Sequence, residues 1–278
     1  MQDYLGLDAK YSNYKDSRFV ILPVPFDKTS TGKKGSAKGP EAIIEASLGM
    51  EVYDIETDSE VYKQGIFTDE PIEGELPEIL VESIKKRTGE LIKDNKFVTV
   101  IGGEHTVSVG AVIAYKKAYP DLSVVQLDAH ADLKDEFKGS KLNHGCVMAR
   151  IKDHCPAVQV GIRSMSKEEK AKLGDVFYAK DIYDNNDWHD NAIEKLSDNV
   201  YVTIDLDVFE EIESSTGTPE PGGLSYLRVL AFLKKIAETK KIVGFDIVEL
   251  CPNSYHTAPD ILAATLIYKL FSYIADAE

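Results

Sequence analysis

"VVQLDAHADLKD" (124–135) joins two kinds of residue that seldom adjoin. Val124 to Leu127 reads as the end of a buried strand, and Asp128, His130 and Asp132 follow it at alternate positions. Two carboxylates and an imidazole just where a core strand surfaces point to a site at a strand end. The pattern recurs elsewhere in the chain. "VTVI" (98–101) runs into "GGEH" (102–105), "YVTI" (201–204) into "DLD" (205–207), and "VGF" (243–245) into "DIVEL" (246–250). In open parallel sheets ligands bind outside the carboxyl ends of the strands, so these clusters are expected to converge on one rim. In extended chain alternate side chains share a face, which lets Asp205 and Asp207, or Asp128 and His130, point together.

The strands themselves are short apolar runs: "RFVILPV" (18–24), "KFVTVI" (96–101), "LSVVQL" (122–127), "AVQVGI" (157–162), "NVYVTI" (199–204) and "KIVGF" (241–245). Runs without polar alternation suit parallel strands buried on both faces. Helical patterns lie between them. Val81, Ile84, Leu91 and Ile92 fall on one face of 79–93. A second stripe, Leu262, Leu266, Ile267, Leu270, Phe271 and Ile274, follows Pro259, a residue suited to a helix start. Strands alternating with helices predict an α/β protein, helices covering a mostly parallel sheet. No linker, repeat or low-complexity tract interrupts residues 1–278, which predicts a single domain.

The chain of 278 residues is 43% hydrophobic and carries a formal net charge of −15. No basic patch is visible, which argues against a nucleic-acid or anionic-membrane partner. No basic stretch followed by an apolar run marks a secretory signal, and no apolar segment reads as long enough to span a bilayer. Three cysteines without paired spacing suggest a reducing compartment. A soluble cytoplasmic protein is expected.

The site inventory is His105, Asp128, His130, Asp132, Asp205 and Asp207. Four carboxylates gathered without lysine or arginine partners would repel strongly in a partly buried site. Two divalent cations would neutralise them, and two imidazoles would complete the coordination. Mixed carboxylate and imidazole ligands fit Mn²⁺, and also Zn²⁺, Fe²⁺ or Co²⁺. Two adjacent metals activate water for hydrolysis, with amidines, amides and phosphoesters all open as substrates. A phosphate cradle has little support: "TGKKGSAKGP" (31–40) lacks the GxxxxGK[ST] spacing.

Several motifs together are highly specific. "GGEHT" (102–106), "LDAHADL" (127–133), "TIDLDV" (203–208) and "TGTPEPGGL" (216–224) resemble the ureohydrolase family, which includes arginases and agmatinases. "LPVPFDKTSTGKKGSAKGPEAIIEAS" (22–47), "HGCVMARI" (144–151), "VGIRS" (160–164) and "GFDIVEL" (244–250) fall in the family's order. The resemblance implies a three-layer α/β/α sandwich around a mainly parallel eight-stranded sheet. It implies two Mn²⁺ per chain, one held by His105, Asp128, Asp132 and Asp205, the other by His130, Asp128, Asp205 and Asp207. A hydroxide bridging the metals would attack a guanidinium carbon, with Asp132 helping to move its proton. His144 matches the family's proton-shuttle histidine, and Glu249 the glutamate that grips the guanidinium. The implied reaction is agmatine plus water to putrescine plus urea. Guanidinobutyrase, arginase and formiminoglutamase activities are alternatives, as is a metal-binding regulatory protein without turnover. The implied partner is a small cationic guanidino substrate, and the implied assembly a homo-oligomer, trimer or hexamer.

Two family contacts for an amino-acid substrate are replaced by Lys134 and Ser164. Lys134 is expected to be solvated, although its ammonium could pair with the carboxylate of a guanidino acid. The segment "DVFEEIESSTGTP" (207–219) lacks the family's prolines before Pro219 and reads one residue short, which leaves the path of 208–215 open. His256 stands where an aspartate is frequent, and His154, Cys155, Trp188 and His189 are expected on the surface or in packing.

Overall fold

A computed structural model describes residues 2–183, 185, 187–210 and 215–278. Eight strands form one sheet: β1 (Phe19–Val24), β2 (Ile66–Thr68), β3 (Phe97–Gly102), β4 (Ser123–Leu127), β5 (Ala157–Ile162), β6 (Asp175–Tyr178), β7 (Asn199–Asp205) and β8 (Lys241–Val248). Their spatial order is β2-β1-β3-β8-β7-β4-β5-β6, and every pairing is parallel. Six strands coincide with the apolar runs of the sequence. The other two, β2 and β6, are edge strands of three and four residues, too short to leave a periodic signature.

The helices are α1 (Gly39–Ser47), α2 (Pro77–Lys93), α3 (Ser108–Ala118), α4 (Val147–Lys152), α5 (Lys167–Lys170), α6 (Ala179–Tyr183), α7 (Trp188–Ile193), α8 (Tyr226–Thr239) and α9 (Ala258–Asp276). Alternation along each strand feeds two cores. Phe19 and Ile21 of β1 face one apolar cluster with α1, α8 and α9, whereas Val20 and Leu22 face the other with α2, α3 and α4. This is the predicted three-layer α/β/α sandwich, with an all-parallel sheet.

Pro23 shows how the edge is arranged. A proline cannot donate to a ladder and is normally confined to edges. β2 pairs with β1 only from Phe19 to Ile21, so it ends before Pro23. The Pro23 carbonyl instead accepts from the Ile72 amide on that side (2.9 Å), while β3 continues alongside on the other.

Pro259 sits in the first turn of α9, as its position suggested. At 19 residues, α9 is long and apolar enough to cross a membrane, which corrects the expectation that no such segment exists. Its apolar length has another destination, since 67% of its most apolar 18-residue stretch is buried in the protein. Trp188 and Cys155 are buried in the two cores, and His189 packs edge-on to Trp188. All three cysteines are free and buried. In the shortened 208–215 segment, Glu210 donates to the Leu224 carbonyl (3.2 Å), and residues 211–214 lie outside the described residues.

β8 needs its glycine. A Cβ at Gly244 would lie 2.3 Å from the ring of Tyr115, whose hydroxyl reaches the Val98 amide and carbonyl at 3.1 Å. The clash is with a buried ring locked by those two bonds, so it cannot be relieved cheaply. Gly244→Ala is expected to destabilise by about 1–3 kcal/mol, the usual range for overpacking. Thermal or urea denaturation measures it, and unchanged stability would refute this packing account.

Candidate metal centre

The four central strands, β3, β8, β7 and β4, deliver their carboxyl ends side by side. His105 follows β3, Glu249 follows β8, Asp205 ends β7, and Asp128, His130 and Asp132 follow β4. Asp207 arrives differently from the expected strand alternation. The chain turns at Leu206–Val208 into a single 3₁₀ turn, and Asp205 Oδ1 accepts from the Asp207 amide (2.9 Å) to start it. Asp205 and Asp207 therefore converge through a capped turn.

Six side chains meet in two groups. His105 Nδ1 stands 3.2 Å from Asp128 Oδ2, 3.3 Å from Asp132 Oδ2 and 3.5 Å from Asp205 Oδ2. His130 Nδ1 stands 2.8 Å from Asp207 Oδ2 and 3.8 Å from Asp128 Oδ1. Donor atoms of His105, Asp128 and Asp132 all lie within 4.8 Å of one another, as do those of Asp128, His130 and Asp207. Asp128 belongs to both, one carboxylate oxygen turned to each. Asp205 joins the first group through Oδ2, with Oδ1 engaged by the Asp207 amide.

The arrangement fits cations better than protons. Thr203 donates to Asp246 Oδ1 (2.7 Å), so its single hydroxyl proton is used and it accepts from His105 Nε2 (2.8 Å). In the neutral ring Nδ1 is then the bare nitrogen. It is fully buried and makes no aligned hydrogen bond, yet three carboxylate oxygens ring it. A bare imidazole nitrogen among carboxylates is a donor set for a metal, with the other nitrogen held by an outer partner.

Electrostatics agree. Burial, reinforced by Asp207 and Asp132, pushes the Asp128 carboxyl up to about 8. Asp205 is driven well above the carboxylate range by burial and then by Asp207 and Asp128. Asp207 goes the other way: burial raises it, but the hydrogen bond and charge of His130, the Ala129 amide and Arg163 together outweigh that. Burial opposes charge on His130 and His105, and the carboxylates overcome it, taking His130 up to about 10 and His105 well above its ordinary value. Without cations the cluster holds protons, and divalent ions would displace them.

Outer contacts fix the candidate ligands. Gln126, a polar residue inside a buried strand, donates to Asp128 Oδ2 (2.5 Å), and Gln159 donates to Gln126 Oε1 (2.6 Å). Asp207 Oδ1 accepts from the Ala129 amide (2.9 Å). Arg163 ties the Asp207 carbonyl (2.5 Å) to the Glu220 carbonyl (2.7 Å). None of Gln126, Gln159, Thr203, Asp246 and Arg163 was singled out from sequence, although a polar side chain within an apolar run was the available signal.

His144 and Glu249 flank the cluster. His144 opens a short turn before α4 and borders a cleft of ≈ 190 Å³ together with Thr31, His130, Asp132, Lys134 and Phe137. Glu249 is buried, and its Oε1 accepts from the His105 amide (2.8 Å). Lys134 is not freely solvated as expected: its ammonium stands 3.4 Å from Glu169 Oε2 and over the Phe137 ring at 4.9 Å. Ser164 donates to Glu220 Oε1 (2.8 Å). Lys34, in the glycine- and lysine-rich segment, donates to the Asp27 carbonyl.

A parallel α/β sheet with this acid and imidazole cluster at its rim defines a class, and comparison with known proteins gives the family. The arginase family model matches residues 17–272. The chain is 34% identical over 282 residues to the N(1)-aminopropylagmatine ureohydrolase of Synechocystis sp., covering 96% of this chain and 92% of that one. It is 34% identical over 273 residues to the agmatinase of Pyrococcus horikoshii, covering 94% and 93%. The crystal structure of the agmatine ureohydrolase of Thermoplasma volcanium superposes with a TM-score of 0.88 at 28% identity, covering 96% and 93%. The chain belongs to the arginase family, the ureohydrolases that its motifs resemble.

Two expectations follow. Asp128→Ala should abolish binding of both ions, whereas His130→Ala should retain one; elemental analysis decides, and an unaltered metal content in Asp128→Ala would refute the shared position. Metal removal should also create a pH dependence. The folded value of Asp128, about 8, exceeds the unfolded value of about 3.9. The unfolded chain therefore loses its proton first, and stability contributed below about pH 4 is lost as pH rises toward 8. The metal-stripped protein should melt progressively lower from about pH 5 to 8, and the loaded protein should not. Parallel melting curves would show that protons and cations do not compete here.

Proposed function

We propose that the protein is a binuclear manganese hydrolase that cleaves the guanidinium group of agmatine to putrescine and urea. What carries the reading is Asp128 shared between two imidazole–carboxylate groups, with the buried Glu249 carboxylate fastened to the same turn as His105. Hard carboxylates with two imidazoles suit Mn²⁺. Two such ions, when bound, supply Lewis acidity and lower the pKa of an attacking water.

The chain's own residues do the rest. Burial, then Asp205 and Glu104, raise the Glu249 carboxyl well above its ordinary value. Its Oε2 makes no hydrogen bond among the described residues and faces Gly217, where even a Cβ would stand 3.7 Å away. A guanidinium laid against that oxygen restores the charged carboxylate in a charge-assisted pair. Asp132 accepts a hydrogen bond from the attacking water and orients it. Burial holds His144 below its ordinary imidazole value, so its ring is neutral at pH 7 and can take a proton for the leaving amine.

The cleft also favours an amine tail over an amino-acid head. The two positions that would contact the α-amino and α-carboxylate groups of an amino acid carry Lys134, engaged by Glu169, and Ser164, engaged by Glu220. An entering carboxylate would meet those two acids and find its donors already occupied. A second reading, agmatine extended by an aminopropyl group, is supported by the relative named for that substrate. Glu220 also favours it: its half-exposed carboxylate lies 3.8 Å from His130 Nε2, where a further ammonium could settle.

Urea release from agmatine, N(1)-aminopropylagmatine, 4-guanidinobutyrate and arginine, with Mn²⁺ present, tests both. Agmatine or its aminopropyl derivative should exceed arginine in kcat/KM by about 10²-fold, the scale of two lost polar contacts. Equal use of arginine would overturn the assignment, and preference for guanidinobutyrate would make Lys134 the selecting residue.

A further inference from the structure

Glu104 precedes a candidate metal ligand, is fully buried, and faces away from the cluster into the entrance segment. Its Oε2 accepts from the Thr29 amide (2.7 Å), the Ser30 amide (2.8 Å) and the Ser30 hydroxyl (3.2 Å). Its Oε1 accepts from the Thr29 hydroxyl and from the Thr106 hydroxyl (2.7 Å). No lysine or arginine pairs with it among the described residues. Five donors converge on one side chain, four of them from two consecutive residues of a loop. A surface loop without such an anchor would be free to move.

The same segment grips His144. Because the Thr29 hydroxyl gives its only proton to Glu104, its oxygen is left to accept, and the His144 amide donates to it at 3.0 Å. Thr31 Oγ1 lies 3.0 Å from His144 Nε2. Backbone and ring of His144 are thus held by residues 29 and 31, on either side of the peptide that Glu104 clamps.

We propose that Glu104 is a positioning residue for turnover: it holds residues 29–31 so that Thr29 and Thr31 fix the His144 imidazole at the mouth of the metal cleft. The inference rests on the reading of His144 as the proton carrier. Misplacing such a group by about 1 Å costs on the order of 10²-fold in rate, which is the scale of effect at stake.

The test is a double-mutant cycle on the manganese-loaded protein. Thr29→Val keeps the shape and removes the hydroxyl link, and Glu104→Ala removes the clamp; His144→Asn supplies the background. Thr29→Val should lower kcat by about 10-fold or more with metal content and KM little changed. In the His144→Asn background the same change should have no further effect on kcat, because the link then ends on a residue that no longer carries protons. Glu104→Ala should follow the same pattern, and Thr29→Val decides alone if that variant does not fold. Losses that multiply in the double variant, or that track with lost metal, would overturn the proposal, as would normal kcat in Thr29→Val. Unchanged turnover in His144→Asn itself would instead remove the proton-carrier reading, and the positioning role with it.

Discussion

Four aspartates and two histidines within a few ångströms of one another, nearly all buried, form a constraint that the rest of the molecule accommodates. Ionised carboxylates at this spacing repel, and burial multiplies the penalty because the screening water is gone. Protons relieve it partly, which is why Asp128 and Asp205 bind them so far above the ordinary range. Cations relieve it more completely, since one divalent ion satisfies two or three oxygens that a proton can serve only singly. A cluster this unfavourable in isolation is tolerated only where the scaffold cannot relax away from it. Four adjacent parallel strands provide such a scaffold, because each is buried on both faces and paired on both sides.

Rigidity at the rim comes from polar residues placed inside the sheet. Thr203 and Asp246 lie one layer beneath His105 and set which of its nitrogens carries the proton. Tyr201 closes that chain by donating to Asp246 Oδ2 (2.8 Å). Gln126 and Gln159 play the corresponding part under Asp128, and Gln159 extends to the Ala131 carbonyl (2.8 Å). Each of these groups is buried and hydrogen-bonded, which is the condition under which buried polar atoms stabilise one arrangement instead of loosening it.

The sequence made the centre of the sheet legible and its margins illegible, for a physical reason. β1, β3, β4, β5, β7 and β8 lie inside the sheet, so their burial on both faces is written as runs that are mostly apolar. β2 and β6 have a neighbour on one side only, and "IFT" and "DVFY" carry no more signal than a loop. Asp128, His130 and Asp132 were legible because charge beside a core strand has few structural uses. Glu104 sits in the same "GGEH" cluster, and nothing in its type or spacing distinguishes a residue facing the aspartate–histidine cluster from one facing residues 29–31. Lys134 was misjudged for a related reason: the partner that draws it out of solvent, Glu169, lies thirty-five positions away in α5. Side-chain direction and distant partners are tertiary facts.

Backbone conformation shows the same coupling between site and scaffold. Asp132 (φ 51°) and Glu249 (φ 68°) both occupy the left-handed region, where a side chain other than glycine's costs of order 1 kcal/mol or more. Such conformations persist only when neighbours over-determine them. At Asp132, the carbonyl accepts from the Met148 (3.0 Å) and Ala149 (3.2 Å) amides, first-turn donors of α4 that have no partner within their own helix. At Glu249, the amide donates to the Gly103 carbonyl (2.7 Å) while the carboxylate receives the His105 amide. The first lock binds the β4 rim to α4, the helix that follows the His144 turn, and the second binds the β8 rim to the turn that carries Glu104 and His105. Each strained residue is therefore a joint between two parts of the candidate site, and relaxing either would separate them.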